Sequence, residues 1–370
     1  MRFEKALLKK ALGALAKVVP SQHHNPLLTY VRLEMKGKSL SLSGSDGVVD
    51  LEVSLPAEAQ EEGAFLAPGE VLFGLAENTP EGAVELEVGE NHLLSWQAGG
   101  FKAEVRAASA EGYPELLFPD GGPEVFLPRK EFAKAVARVR HAIGRGSVLD
   151  AFRGILMEFG EAGVRLVAAD GYRLALYDLA EPAPFEGKVL VLGESLLKAL
   201  QALEITDGEE AVLRPLDRVL GLEAEGEALS VRAALRLMGS TFPSYGHVFP
   251  REFAGEFVVE TKAFREALKR LEVLADEDNH RLDFVVGRGP AEEGFLRISA
   301  KGDGREAEEE VPAEVRGELE FSVNARYLLE ALPEEEKTLI RLSGKTTPML
   351  VGPAGGGGYQ AVIVPLKVEG

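Results

Sequence analysis

The sequence predicts an α+β protein in which one pattern, two helices packed on antiparallel sheet, is used three times along the chain. Three observations carry this reading. Asp-Gly pairs, which favour tight turns, recur at Asp46-Gly47, Asp170-Gly171 and Asp303-Gly304. The segments flanking them alternate apolar and polar residues, as half-buried strands do. A basic amphipathic segment precedes each set, and a second, less basic helical segment follows it. Such self-similarity, with a period of roughly 130 residues, points to repetition of a whole supersecondary unit.

The first pass opens with a basic helix, RFEKALLKKALGALAK, with Phe3, Ala6, Leu7 and Leu15 at helical spacing. The strand segments LLTYVRLEM and SLSLSGSDGVVDLEVSLP follow, then the helix PGEVLFGLAENT. The second pass runs from RKEFAKAVARVRHAIGR (Phe132, Val136, Val139) through FRGILMEF and VRLVAADGYRLALYDLAEP to GESLLKALQAL. The third runs from KAFREALKRLE (Phe264, Leu268, Leu271) through RLDFVVG and FLRISAKGDGREAEEEVP to NARYLLEALPEEE. Phe3, Phe132 and Phe264 are aligned as equivalent core positions, and Pro56, Pro182 and Pro312 close the corresponding strands. Glycine, proline or a polar N-cap opens each second helix. The Gly- and Pro-rich segments FPDGGPE and VFPREFAGE read as linkers, which sets the expected domains at 1–121, 122–253 and 254–370.

Charge is distributed unevenly. The chain carries 41 Lys+Arg against 60 Asp+Glu, net −19. The three basic helical segments hold fifteen basic and four acidic residues, net +11, so the remainder carries −30. A repeated basic element inside an acidic protein suggests a surface for a polyanion within a molecule that otherwise repels it. The same acidity argues against an anionic membrane as partner. With no cysteine, disulfides, thiolate zinc sites and cysteine nucleophiles are excluded. The opening segment is a charged amphipathic helix rather than a signal peptide, and no apolar run has the length of a membrane span, so a cytoplasmic protein is expected. Abundant Glu, Arg, Leu and Ala with scarce Asn and Gln fit either a thermophile or a GC-rich genome.

Catalytic motifs are missing. Ser343-Gly344-Lys345-Thr346-Thr347 lacks the glycine a phosphate-binding loop needs five positions before Gly344, where Leu339 stands, and Pro348 follows at once. The six histidines show no metal-ligand spacing, and Asp46, Asp170 and Asp303 are turn residues by virtue of the glycine after each. A metal-dependent hydrolase or nuclease acting on nucleic acid is therefore the weaker alternative, as is a monomeric scaffold. No catalytic residue, metal or cofactor is expected.

The segment AADGYRLA at Ala168–Ala175 resembles the ATDGHRLA of the bacterial DNA polymerase III β subunit, the sliding clamp family. FPSYGHVFP at Phe242–Pro250 is similar to the family's FPDY-based segment, and YQAVIVPLKV near the chain end to its YVVMPMRL tail. The resemblance spans the chain. It implies three similar domains, a head-to-tail homodimer closing a six-domain ring, and helices lining the hole. It also implies a non-enzymatic role: encircling duplex DNA without sequence specificity and tethering the replicative polymerase, with the clamp loader and other proteins bearing clamp-binding peptides as further partners.

Under that resemblance the basic helices face DNA through Lys5, Lys9, Lys10 and Lys17, then Lys134, Arg138 and Arg145, then Arg265, Lys269 and Arg270. Loops near the helix ends add His23, His24 and Gly146. Phosphate attraction without base reading suits sliding. The family's apolar peptide pocket maps onto Phe152, Gly154, Ala169, Gly171, Tyr172, Arg173 and Leu174, then Pro243, His247 and Val248. It continues with Asn324, Tyr327, Pro348, Met349, Val362, Val364, Pro365 and Leu366. Val364 and Leu366 stand where the family has methionines, Ala169 where it has threonine, and Glu369 and Gly370 extend the tail. For ring closure, the acidic run REAEEE places Glu306, Glu308 and Glu310 on one strand face, and FKAEVRA offers Lys102 and Arg106, so that opposite charges steer head-to-tail pairing. Val273 and Leu274 would form the apolar centre of that interface.

Overall fold

Each basic helix is held by one apolar face. In the computed structural model, which describes residues 1–57, 62–89, 92–289 and 293–367, α1 spans Lys5–Leu15, α2 Gly69–Asn78, α3 Arg129–Val139, α4 Gly193–Leu203, α5 Thr261–Glu272 and α6 Ala325–Ala331. Leu8, Ala11, Leu12 and Leu15 are buried on α1, Phe132, Ala135, Val136 and Val139 on α3, and Phe264, Ala267, Leu268 and Leu271 on α5. All three sets have the same i, i+3, i+4, i+7 spacing. Each fully buried Leu or Phe contributes about 2 kcal/mol, so the buried stripe rather than intrinsic propensity fixes these helices.

This corrects the register read from the sequence. Phe3 lies in the short strand Arg2–Glu4, not in α1, and pairs with Val84. The counterpart of Phe132 and Phe264 is Leu8. With that shift the helix positions are 124 and 132 residues apart, close to the 124 and 133 of the turn aspartates. Phe3 was misleading because an apolar residue in the strand just before a helix falls near the helix's own apolar period.

The chain forms two compact units, one of residues 1–133 and 181–238, the other of residues 134–180 and 239–370. In the first, a four-stranded antiparallel sheet runs in the order Arg2–Glu4, Ala83–Val88, Leu93–Ala98, Phe101–Arg106. A nine-stranded sheet carries Tyr30–Lys36, Ser39–Ser45 and Val49–Pro56, and joins Val49–Pro56 to Ser230–Arg236 with Val53 opposite Val231. In the second unit, Gly154–Gly160, Gly163–Ala169 and Arg173–Leu179 form the matching meander, and Arg173–Leu179 pairs with Tyr359–Ile363. Its four-stranded sheet is ordered Arg305–Pro312, Gly294–Gly302, Arg281–Arg288, Leu319–Asn324.

The compact units cut across the expected boundaries at 121 and 253. The reason is strand pairing: in each large sheet the meander of one pass is continued by the last strand of the next. Each pass also places its pre-helix strand beside the strand after its second helix, as in Phe3↔Val84, Leu127↔Ala211 and Val259↔Thr338. The core of the second unit includes stacked Phe284 and Phe321, with centroids 4.7 Å apart, flanked by Phe257 and Phe264.

Candidate functional site

The turn at Asp170 organises one face of the second unit. Asp170 Oδ1 accepts from the backbone N–H of Tyr172 at 2.9 Å and of Arg173 at 3.0 Å, which closes the turn. Gly171 has φ 95°, a conformation that glycine adopts freely. The arrangement pushes Tyr172 outward, leaving it 64% exposed. Arg173 folds back onto Asp170 at 3.0 Å and pairs with Glu330 on α6, its guanidinium lying 4.3 Å from the centre of the Tyr327 ring.

The sequence-predicted pocket residues converge around this turn. Leu174 sits opposite Ala169 on one side and Val362 on the other. Beyond the last strand, Val364 N–H donates to Tyr172 O at 2.9 Å and Leu366 N–H to Ser322 O at 2.8 Å, which ties the tail to both neighbours. Asn324 caps α6, accepting from the N–H of Arg326 and Tyr327, and so aims the Tyr327 ring to 6.4 Å from that of Tyr172. Phe152 lies in the short helical turn before Gly154, near Gly171. Met349, preceded by Pro348, pairs with Ile363. Pro243 follows Phe242, whose ring is 5.9 Å from Phe152; His247 and Val248 occupy the next helical turn, reached through Tyr245. Leu174, Val362, Met349 and Pro365 are buried, while Tyr172, Val364, Pro243 and His247 are exposed. Glu330, Phe242 and Tyr245 join this face although the sequence reading omitted them; the two aromatics lay in the quoted FPSYGHVFP segment. Glu369 and Gly370 lie outside the described residues.

The basic helices divide into two groups. Lys10, Lys17, Arg145 and Lys269 are exposed, as are Gly146 and His24. Lys134 is half-buried, as is His23, whose ring lies 3.9 Å from that of His24. Lys9 is exposed but pairs with Glu77 at 2.8 Å, and Arg270 with Glu309 at 2.5 Å. Three expected phosphate ligands are held internally instead. Lys5 is buried and pairs with Glu81 at 2.8 Å; Arg138 donates to Leu332 O and Arg265 to three carbonyls at the end of α6. Helical spacing counts charges but does not say which of them find an acceptor on a neighbouring element.

Glu308 and Glu310 both face Arg297, at 3.4 and 3.5 Å, and Glu306 faces Lys301 at 3.9 Å, so the three share one face of an edge strand while Glu309 faces Arg270. Lys102 and Arg106 alternate with Ala103 and Val105 on Phe101–Arg106, the edge strand of the other four-stranded sheet. Val273 is 68% exposed at the end of α5 and Leu274 is half-buried.

Residues 1–117 match the N-terminal domain of the DNA polymerase III beta subunit, and residues 246–367 match its C-terminal domain. A beta sliding clamp homolog, GriR, from Streptomyces muensis is 30% identical over 340 residues, covering 90% of this chain and 88% of the relative. This chain belongs to the DNA polymerase III beta subunit, or sliding clamp, family. The beta sliding clamp of Streptomyces coelicolor is 28% identical over the full length of both chains. The DNA polymerase III subunit beta of Pseudomonas aeruginosa superposes with a TM-score of 0.89 at 26% identity, covering 100% of each chain. A sliding clamp from the same organism, bound to griselimycin, superposes with a TM-score of 0.88 at 25% identity, over 100% of this chain and 99% of that one. The function is that of a bacterial sliding clamp in DNA replication, a non-catalytic accessory to DNA polymerase III, and the hydrolase alternative has no support. No helix among the described residues is long and apolar enough to cross a membrane.

Proposed function

We propose that two copies of the chain close head to tail into a ring of six domains, bounded in each copy at 121 and 253, that encircles duplex DNA in the cytoplasm. The observation that carries this is a pairing rule used twice and left open once. The meander strand Val49–Pro56 pairs with Ser230–Arg236, the last strand of the next pass, and Arg173–Leu179 pairs in the same way with Tyr359–Ile363. The third meander strand, Arg305–Pro312, and the first pass's last long strand, Phe101–Arg106, which only the two-residue strand Ala108–Ser109 follows, are both sheet edges. Joining them between two copies repeats the rule a third time, and a heterologous contact that closes after two copies yields a ring. Glu306, Glu308 and Glu310 then meet Lys102 and Arg106, and Val273 with Leu274 supplies apolar area at the junction. Exposed Lys10, Lys17, Arg145 and Lys269, with half-buried Lys134, attract phosphates without reading bases. The face around Tyr172, Val364 and Tyr327 takes apolar anchors of an extended peptide from the polymerase, the clamp loader or other replication proteins.

The decisive experiment is topological. The loaded protein should stay on nicked circular duplex and leave when the circle is linearised, and its mass in solution should be that of two chains. Equal loss from circle and linear DNA, or a single-chain mass at micromolar concentration, would sink the ring.

A further inference from the structure

The helix α6 is seven residues long, too short to persist on its own hydrogen bonds, and its last carbonyls have no partner within the helix. Two of those carbonyls and the two that follow the helix accept from side chains of three other elements of the second unit. Arg265 on α5 donates to Leu329 O at 3.1 Å, Leu332 O at 3.4 Å and Pro333 O at 3.2 Å. Arg138 on α3 donates to Leu332 O at 3.3 Å, pairs with Glu334 at 3.3 Å and lies 5.5 Å from the centre of the Tyr359 ring. Tyr359 donates its hydroxyl to Ala331 O at 3.0 Å and is 3.0 Å from His141 Nε2. Cations at a helix C-terminus are favourable, more so when partly buried, and the Arg138 side chain is only 12% exposed. The other end of the same short helix carries Asn324 and Tyr327, the latter seated against Tyr172 and Arg173.

We infer that Arg138 and Arg265 are positioning residues for the partner-peptide face: by clamping the α6 C-terminus they set where Tyr327 stands against Tyr172. They belong by sequence to the basic helices, yet their guanidinium groups serve the peptide face and not the DNA. The inference rests on the peptide reading of that face. It differs from a general structural role because it separates two binding activities carried on the same helices.

The test uses the full chain, griselimycin, which the Pseudomonas aeruginosa clamp binds, as the proposed probe of the peptide face, and a short linear duplex as the probe of DNA. Arg265→Gln and Arg138→Gln should each weaken griselimycin binding roughly tenfold, the scale of one charge-assisted hydrogen bond, and leave duplex affinity unchanged. Lys10→Glu with Lys269→Glu should do the reverse. Arg265→Lys, which keeps the charge and reaches fewer carbonyls, should recover part of the loss and serves if the Gln variant does not fold. Hydrogen exchange at the Leu328–Ala331 amides should quicken in the Gln variants, a readout independent of any ligand. Gln variants that weaken duplex binding but bind griselimycin normally, or that leave α6 exchange unchanged, would overturn the inference. If Tyr172→Ala binds griselimycin as the parent does, the peptide reading fails instead, and the exchange data still decide the role of the arginines.

Discussion

The turns at Asp46 in the first unit and Asp170 in the second share one backbone and differ in what they present. Asp46 Oδ1 accepts from Val48 and Val49 N–H at 2.9 and 2.8 Å, as Asp170 does from Tyr172 and Arg173. Arg236 N–H donates to Val48 O at 3.0 Å where Val364 donates to Tyr172 O, and Met238 N–H to Leu190 O at 2.8 Å where Leu366 donates to Ser322 O. Gly47 and Gly171 have φ of 87° and 95°. The side chains diverge. Position 50 holds a buried carboxylate where position 174 holds leucine; Asp50 accepts from the Ser45 hydroxyl at 2.5 Å and from Leu117 N–H at 2.8 Å, and pairs with Arg236 at 3.4 Å. Asp46 is bound to Lys198 at 2.7 Å. A duplicated scaffold thus became a polar lock in one unit and an apolar, aromatic face in the other. Backbone geometry supplies the platform, and a few side chains decide what it presents.

Replacing the lock should have the largest effect. Asp50→Ala leaves the buried Ser45 hydroxyl and the Leu117 N–H without their acceptor and frees Arg236, whose side chain is 36% exposed; buried donors left unsatisfied cost about 2 kcal/mol. Denaturant unfolding should show this loss, with griselimycin binding intact in the folded protein; a stability change below 1 kcal/mol would mean that the lock is ornamental. Next in size, Tyr172→Val gives the second turn the residue of the first. Griselimycin affinity should fall roughly tenfold, as expected for an aromatic anchor, whereas Val48→Ala should leave it unchanged. Calorimetric titration of both variants compares the two turns directly.

The smallest effect concerns pH. Burial, helped by Arg173 and Arg138, pushes the His141 pKa down to about 3, so the imidazole is neutral in the fold. The unfolded chain takes up the proton near pH 6.5, which makes the stabilisation complete above that pH and progressively lost as pH falls toward 3, by up to about 1.4 kcal/mol per pH unit. His141→Gln should flatten the change in urea midpoint between pH 7.5 and 5.5. The matching position after α1 is Lys17, which is exposed, and Lys17→Gln should leave the pH slope as it was. A slope unchanged by His141→Gln would remove the buried imidazole from the account.

Much of the proposed peptide face was legible in the sequence because it is local: an Asp-Gly turn, an Asn cap and an alternating tail each declare themselves within a few residues. Glu330 was not legible, since its partner Arg173 lies 157 residues away in sequence. The basic helices were legible as basic, but the fate of each charge was not. Lys10 and Arg138 look alike in a composition count, and only the acceptors brought by α6 separate them.

The sequence by itself determined the threefold pattern, the Asp-Gly turns, the apolar stripes and the concentration of positive charge on one repeated element. These follow from short-range periodicity and turn chemistry, which the chain carries in its order. Tertiary structure alone decided that sheets fuse one pass to the next, that Phe3 belongs to a strand, that Phe101–Arg106 and Arg305–Pro312 lack the partner their counterparts have, and that Lys5, Arg138 and Arg265 turn inward. Each of these depends on hydrogen-bond partners far apart in sequence, and a buried polar group takes whichever partner the fold brings within reach.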